Sequence, residues 1–150
     1  MPNRLKFDTA ENATFGRLIT PCIDGRLLSD RVSEFETQQG FDLAGRYVGL
    51  PPGGYRYGPF DQYFLGLTFR FDDLGGIHVL ACRYCGFVGC WPLLCKVSIV
   101  AREVHWSDFR QPHRKKWDYS GFGPFVFERA AFDAAVHTLV ADLGAGTGTL

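Results

Sequence analysis

The chain has 150 residues, of which 46% are hydrophobic and 21% are charged. This length and balance are those of one globular domain with a substantial core, and they argue against a disordered or fibrous chain. Sixteen acidic residues cancel sixteen basic ones, so no overall field attracts the protein to nucleic acid or to an anionic membrane. The sequence shows no apolar run as long as a membrane span and no signal-peptide core at its start. We therefore expect a cytoplasmic protein with reduced thiols and no membrane partner.

The first third of the chain predicts one helix followed by a loop. In LLSDRVSEFETQQG, Leu28, Val32 and Phe35 recur at helical spacing. Gly40 follows where a glycine commonly ends a helix. The next segment, AGRYVGLPPGGYRYGPF, is rich in Gly, Pro and Tyr. It predicts a loop whose tyrosines either pack it against the core or face a partner.

The middle of the chain predicts an antiparallel sheet. DQYFLGLTFRF and IHVLAC flank the turn sequence DDLGG, which is the pattern of a hairpin. CKVSIVAREVHWSDF predicts either one long strand or a second hairpin that turns near Ala101 to Glu103. The segment PFVF predicts a further short strand.

The end of the chain predicts a second helix and a tail. ERAAFDAAVHTLVADL carries an apolar stripe made of Phe132, Ala135, Val136, Leu139, Val140 and Leu143. We expect a glycine cap at Gly144, a single globular domain over residues 1–143, and a flexible tail over residues 144–150. Strands and helices are segregated along the chain, so the predicted fold class is α+β. We expect an antiparallel sheet of about four to six strands packed against one or two helices.

Four of the five cysteines fall within the fourteen residues CRYCGFVGCWPLLC, namely Cys82, Cys85, Cys90 and Cys95. Their spacing resembles a zinc knuckle (Cys-x2-Cys-Gly-x2-Gly-His-x4-Cys), with Cys90 at the histidine position. Four thiolates suit zinc. However, IHVLAC and WPLLCKVSIV have the composition of buried strands, and cysteine is often buried without any metal. Zinc, buried structural thiols and redox chemistry all stay open, and we expect structural thiols with no cofactor.

Longer runs resemble a family of uncharacterised bacterial proteins. GCWPLL matches part of its Cys-Gly-x-x-Gly-Cys-Trp-Pro-Leu run. VHWSDFRQPHRKKWDYSGFGPFVFERAAFDAAV matches its Trp-Ser-x-Phe-x-Gln-Pro-His-Arg run and its Gly-Pro-Phe-x-Phe helix. ITPCIDGRLL and LAGRYVGL are also similar to it, so the resemblance spans most of the chain. It implies a bacterial single-domain protein and supplies no catalytic residues.

The polar segment VHWSDFRQPHRKKWDYSGFG holds the candidate contact residues. Trp, Tyr and Arg are enriched at the centres of protein interfaces, and charge steers association. The predicted partner-binding residues are Trp106, His113, Arg114, Trp117 and Tyr119. The alternative is that these side chains only pin a long connection to the sheet, with Asp108 or Asp118 pairing Arg114.

The same segment has two further interpretations. In an enzyme, His105 or His113 would be a base oriented by Asp108. Cys85 or Ser107 would then be the nucleophile, although the spacing fixes none of this geometry. On a nucleic-acid surface, the basic run would bind phosphate while the aromatic residues stack on bases.

No cofactor motif or assembled catalytic site is present in the sequence. We therefore predict a non-catalytic cytosolic protein that binds another protein, for example an immunity protein that neutralises a bacterial toxin. Asp72 and Asp73, at the predicted DDLGG turn, would add the opposite charge to the same face. A zinc-bearing nucleic-acid-binding module is the second hypothesis, and a small enzyme with an unrecognised site is the third.

Overall fold

The computed structural model describes residues 2–53, 57–68 and 76–147 of the chain. In chain order its elements are β1 (Leu5–Asp8), β2 (Glu11–Asn12), β3 (Gly16–Arg17), β4 (Thr20–Ile23), β5 (Arg26–Leu27), α1 (Leu28–Gln38), β6 (Tyr47–Val48), α2 (Phe60–Tyr63), β7 (Ile77–Cys82), β8 (Leu93–Val100), β9 (Glu103–Arg110), β10 (Phe125–Glu128) and α3 (Arg129–Thr147). The helices and strands are segregated, which confirms the predicted α+β class.

The central layer is a five-stranded antiparallel sheet with the strand order β10-β9-β8-β7-β6. Every residue of β7 is buried, as expected for a strand inside the sheet with both faces covered. On β9, Val104, Trp106 and Phe109 are buried. Two small sheets, β1-β4-β5 and β2-β3, complete the strands of the described residues. The predicted sheet of four to six strands is therefore confirmed.

The hairpin β8–β9 confirms the second of the two predictions for this segment. Val100 pairs with Glu103 across a turn at Ala101 and Arg102. Ala101 has a φ of 54°, the left-handed conformation that two-residue hairpin turns need. The short strand predicted at PFVF is also present, as β10.

The helix predicted from Leu28 is confirmed as α1, and Gly40 ends it. Gly40 has a φ of 75°, and its N–H donates to the carbonyl of Thr37. The N–H of Phe41 reaches back to the carbonyl of Glu36. These two bonds form a Schellman cap, which requires a left-handed residue and therefore favours glycine.

The strand predicted at DQYFLGLTFRF is wrong at its start, because Phe60–Tyr63 forms the short helix α2. Phe60 and Phe64 are four residues apart, and their rings stack at 5.8 Å. This spacing brings both rings to one side of a helical turn, whereas a strand would hold them far apart. The later part of that segment and the predicted turn with Asp72 and Asp73 lie outside the described residues.

The C-terminal helix is confirmed as α3, but it runs on to Thr147. Gly144 therefore does not cap it. A glycine inside a helix costs only about 1 kcal/mol relative to alanine, and this is too little to stop a helix that is already propagating. Phe132, Val136 and Leu139 of the predicted stripe are buried, whereas Val140 is 44% exposed. Among the helices of the described residues, none is long and apolar enough to cross a membrane.

Candidate metal centre

The connection between β7 and β8 forms a compact turn, called here the cysteine turn (residues 82–92). Cys82 is the last residue of β7 and is buried, whereas Cys85 and Cys90 are exposed on the turn. The sulfur atoms of these three cysteines lie within 4.8 Å of one another, and all three thiols are free. The structure thus gathers a group of three cysteines that could hold a metal ion.

Gly86 lets the chain turn back after Cys85. Its N–H donates to the carbonyl of Cys82 at 2.8 Å, and its φ is 68°. A Cβ at this position would lie 2.7 Å from a ring carbon of Phe15, which packs against the turn. Both the backbone conformation and the close ring therefore exclude a larger residue.

Cys95 is not part of the three-cysteine group. It lies on β8 opposite Ile77 and is fully buried in the core. The apolar spacer Trp-Pro-Leu-Leu leads directly into the strand. Cys95 therefore lies within the sheet. Of the four cysteines in the predicted cage, the structure brings three together and gives the fourth a position in the core.

A second segment, the basic loop (residues 111–118), is tied to the cysteine turn by Gln111. This side chain is buried, and its amide N–H₂ donates to the carbonyl of Pro92 at 3.0 Å and to the phenol of Tyr47 at 3.1 Å. Its carbonyl oxygen accepts from the backbone N–H of His113 at 3.2 Å. A buried amide with all these partners fixes the loop in one position.

His113 and Arg114 lie directly against the cysteine turn. Nε2 of His113 is 3.1 Å from the carbonyl oxygen of Gly89, and its ring stacks on Trp91 with the centroids 6.0 Å apart. The guanidinium of Arg114 lies 5.0 Å from the ring centroid of Trp91 and 5.9 Å from that of Trp117. Cation–π contacts of this kind hold the arginine while leaving it partly accessible. The predicted pairing of Arg114 with Asp108 or Asp118 is absent from the ion pairs of the described residues.

Behind the loop lies a buried polar network centred on Glu36 of α1. Its carboxylate accepts from the phenol of Tyr47 at 2.7 Å, from the phenol of Tyr119, and from the backbone N–H of Gly45 at 3.0 Å. Burial raises the pKa of the Tyr47 phenol above its usual range, and the nearby Glu36 carboxylate raises it further. Burial likewise raises the pKa of Tyr119, with the neighbouring Tyr47 as the next cause. Both phenols are therefore neutral hydrogen-bond donors at neutral pH.

Two of the five predicted partner-binding residues are buried, so their assignment to a surface is wrong. Trp106 is 0% exposed and Tyr119 is 5% exposed. Trp106 points from β9 into the core, and Tyr119 is held by Glu36. Trp117 is half-buried because its ring stacks on Phe41 at 4.4 Å. His113, Arg114 and the half-buried Trp117, whose ring centroid lies 5.9 Å from that of Trp91, are the three that lie beside the cysteine turn with accessible surface.

The sequence reasoning missed two aromatic residues on the cysteine turn itself. Tyr84 is 66% exposed and Phe87 is 56% exposed. The guanidinium of Arg46 lies 5.2 Å from the Tyr84 ring centroid. Their position in the sequence could have indicated this exposure, because both stand between closely spaced cysteines. A turn in which the cysteines lie close together is too small to bury all of its aromatic side chains.

The residues proposed for an enzyme site do not form the predicted pairs of a base and its orienting carboxylate. His105 bonds to Glu103 at 2.9 Å, and His113 bonds to Gly89. Neither imidazole bonds to Asp108, which lines a separate cleft with Ser107 on β9. Among the described residues, the hydrogen bonds of the two imidazoles go to Glu103 and Gly89 and not to Cys85 or Ser107, although His113 and Cys85 lie near the same turn.

No family model, no curated protein and no solved structure matches this chain. The resemblance to a bacterial family therefore stays a prediction from the sequence runs.

Proposed function

We propose that the protein is a non-catalytic binding protein in which zinc orders the cysteine turn, and in which that turn contacts another protein. One observation carries the proposal. The turn that gathers three cysteine sulfur atoms also presents the exposed rings of Tyr84 and Phe87. A turn that gathers metal-binding thiols and exposes aromatic side chains is better suited to binding a partner than to packing in the core.

The donor set fits zinc. Zinc–thiolate bonds of about 2.3 Å in a tetrahedral site place the sulfur atoms about 3.8 Å apart. The sulfur atoms of Cys82, Cys85 and Cys90, within 4.8 Å of one another, need only a small closure to reach that spacing. Zinc, when bound, supplies a structural link between the end of β7 and the start of β8. The same three thiols without a metal would leave two exposed and oxidisable groups on the surface.

The proposed contact face consists of Tyr84, Phe87 and Arg114. Tyrosine and arginine are among the residue types that dominate interface energies. Arg83, Lys115 and Lys116 are exposed beside it, so a neutral chain carries a local excess of positive charge.

This charge favours a partner protein with an acidic surface. An immunity protein bound to a bacterial toxin is one role that fits such a face. Single-stranded nucleic acid is less favoured, because the chain has no overall positive charge and the face offers few phosphate-binding groups.

Replacing Cys85 with serine is expected to abolish stoichiometric zinc. The wild-type protein, purified from zinc-supplemented medium, should contain about one zinc per chain by elemental analysis. We expect C85S to bind zinc more than about 100-fold more weakly, because loss of an outer-shell partner alone costs about 10–100-fold. Affinity is measured by competition with a chromophoric chelator.

Cys22→Ser is the matched control, since Cys22 is a half-buried free thiol outside the three-cysteine group. It should keep the wild-type zinc content. A wild-type protein that holds no zinc after reconstitution under reducing conditions would contradict the zinc part of the proposal.

Replacing both Tyr84 and Phe87 with alanine should remove partner binding with little change in stability, because both side chains are largely exposed. Immobilised wild-type protein is used to capture partners from extract of the source organism, and the captured protein is identified and purified. We expect the double variant to bind that protein at least about 30-fold more weakly, which corresponds to one interface hot spot.

The control for this experiment is Ile99→Ala with Val100→Ala, which removes two exposed apolar residues at the far end of the β8–β9 hairpin. It should bind as the wild type does. Equal affinity of the Tyr84/Phe87 variant and the control would contradict the proposed face. Capture of nuclease-sensitive material, with affinity that falls steeply as salt rises, would instead identify a nucleic-acid partner.

A further inference from the structure

We infer that His113 is the fourth zinc ligand and completes the group formed by Cys82, Cys85 and Cys90. This inference rests on the zinc site proposed above. Three thiolates leave one position of a tetrahedral site open, and structural zinc sites are closed by a fourth protein ligand, often in a Cys₃His set.

The remaining cysteines do not supply that ligand. Cys95 is fully buried on β8, and its pairing opposite Ile77 holds it within the sheet. Cys22 lies on β4 and pairs with Leu27 of β5. Neither belongs to the group of sulfur atoms within 4.8 Å.

Three of the four histidines are also too far away or on other elements. His78 is buried four residues before Cys82 on β7, roughly 13 Å along the strand. His105 pairs with Ser98, five residues into β8 from its start and roughly 17 Å along it. His137 belongs to α3, which packs against β1 and β10.

His113 is placed differently, because its ring touches the residues on both sides of Cys90. Nε2 is 3.1 Å from the carbonyl oxygen of Gly89, and the ring stacks on Trp91. In the structure its ring nitrogens lie outside the 4.8 Å group of the three sulfur atoms, so binding zinc requires a shift of this exposed side chain toward them, which leaves the core undisturbed. The bonds of Gln111 to Pro92 and to the His113 backbone hold the whole loop in this position.

The hydrogen bond to Gly89 also sets the chemistry of the ring. A carbonyl oxygen only accepts, so Nε2 carries the proton and, in the neutral imidazole, the lone pair lies on Nδ1. Metal-ligating histidines typically donate their other ring N–H to a carbonyl or a carboxylate, which fixes the tautomer. In the structure His113 makes this second bond through Nε2, so Nδ1 is the atom assigned to zinc, and the shift toward the cysteines must be small enough to keep the bond to Gly89.

The test compares His113→Ala with His113→Cys in the full chain. We expect H113A to weaken zinc binding by more than about 100-fold, since it removes a ligand rather than an outer-shell group. H113C should recover much of the affinity, because a thiolate is a zinc ligand, although it cannot stack on Trp91 or bond to Gly89. The Co²⁺-substituted proteins should show a tetrahedral visible spectrum for the wild type and H113C, and an altered one for H113A.

His137→Ala is the control, because it removes an exposed imidazole on α3. It should keep the wild-type affinity and spectrum. If the wild type binds zinc and H113A binds it equally well, His113 is not a ligand and only this inference fails. If H113C binds as weakly as H113A, the role of His113 is structural, which also overturns it. A wild-type protein without zinc would overturn both this inference and the zinc site on which it rests.

Discussion

Replacing Glu36 with alanine is expected to lower the free energy of unfolding by about 3 kcal/mol or more. The carboxylate is fully buried and accepts from two phenols and one backbone N–H. Each buried donor that loses its acceptor costs about 1–3 kcal/mol. Urea denaturation followed by tryptophan fluorescence measures the loss, and the slope of the transition tests whether it stays two-state.

Glu34→Ala is the matched control on the same helix. Glu34 is exposed and pairs with Arg26 at 2.7 Å, and such surface pairs contribute about 0–1 kcal/mol. Should E36A fail to fold, Glu36→Gln keeps the volume and one acceptor, and it should fall between E36A and the wild type. A loss for E36A no larger than for E34A would show that the network around Glu36 does not stabilise the fold.

Replacing Trp106 with alanine is expected to cost about 3–5 kcal/mol, the range for removing a large aromatic side chain from a core. Its ring is fully buried and packs edge-on against Phe127 at 5.3 Å and Phe132 at 6.0 Å. Its indole N–H donates to the carbonyl of Phe64 at 3.3 Å. The change therefore leaves a cavity and an unpaired carbonyl, and chemical denaturation gives the cost.

The comparison for Trp106 is Ile99→Ala, which removes an exposed apolar side chain from the adjacent strand β8. Its effect should stay within about 0.5 kcal/mol. If W106A were as stable as this control, Trp106 would not hold β9, β10 and α3 together, and its core position would be wrong.

The sequence by itself determined the elements whose signals are local. Helix α1 was predicted from the helical spacing of Leu28, Val32 and Phe35. Its end was predicted from Gly40, because glycine readily adopts the left-handed conformation of a helix cap, and α1 ends there. Helix α3, apart from its end, was predictable in the same way, whereas the turn at Ala101 was one of two alternatives that the strand pattern left open. The α+β class followed from the order of these elements along the chain.

Short segments were decided by tertiary contacts. DQYFLGLTFRF alternates in part like a strand, but Phe60–Tyr63 forms a helical turn in which the rings of Phe60 and Phe64 stack. Trp106 and Trp117 lie in the same polar segment of the sequence. Only the orientation of strand β9 shows that the Trp106 side chain points into the core. Similarly, Cys95 has both a metal-like spacing and a place in the predicted strand CKVSIV, and its pairing opposite Ile77 on β8 decides for the sheet.

In the candidate site, too, some features follow from local sequence and others only from tertiary contacts. The cysteine spacing allowed a turn that gathers thiols, because residues three and five apart stay close along the chain, but the sequence favoured buried structural thiols instead. His113 is 24 residues from Gly89, and no local pattern relates them. They meet because β8 and β9 pair antiparallel, with Leu94 opposite Arg110, so the residues just before β8 and just after β9 lie at the same end of the sheet. Strand pairing depends on long-range contacts that no sequence window contains, and it places the basic loop against the cysteine turn.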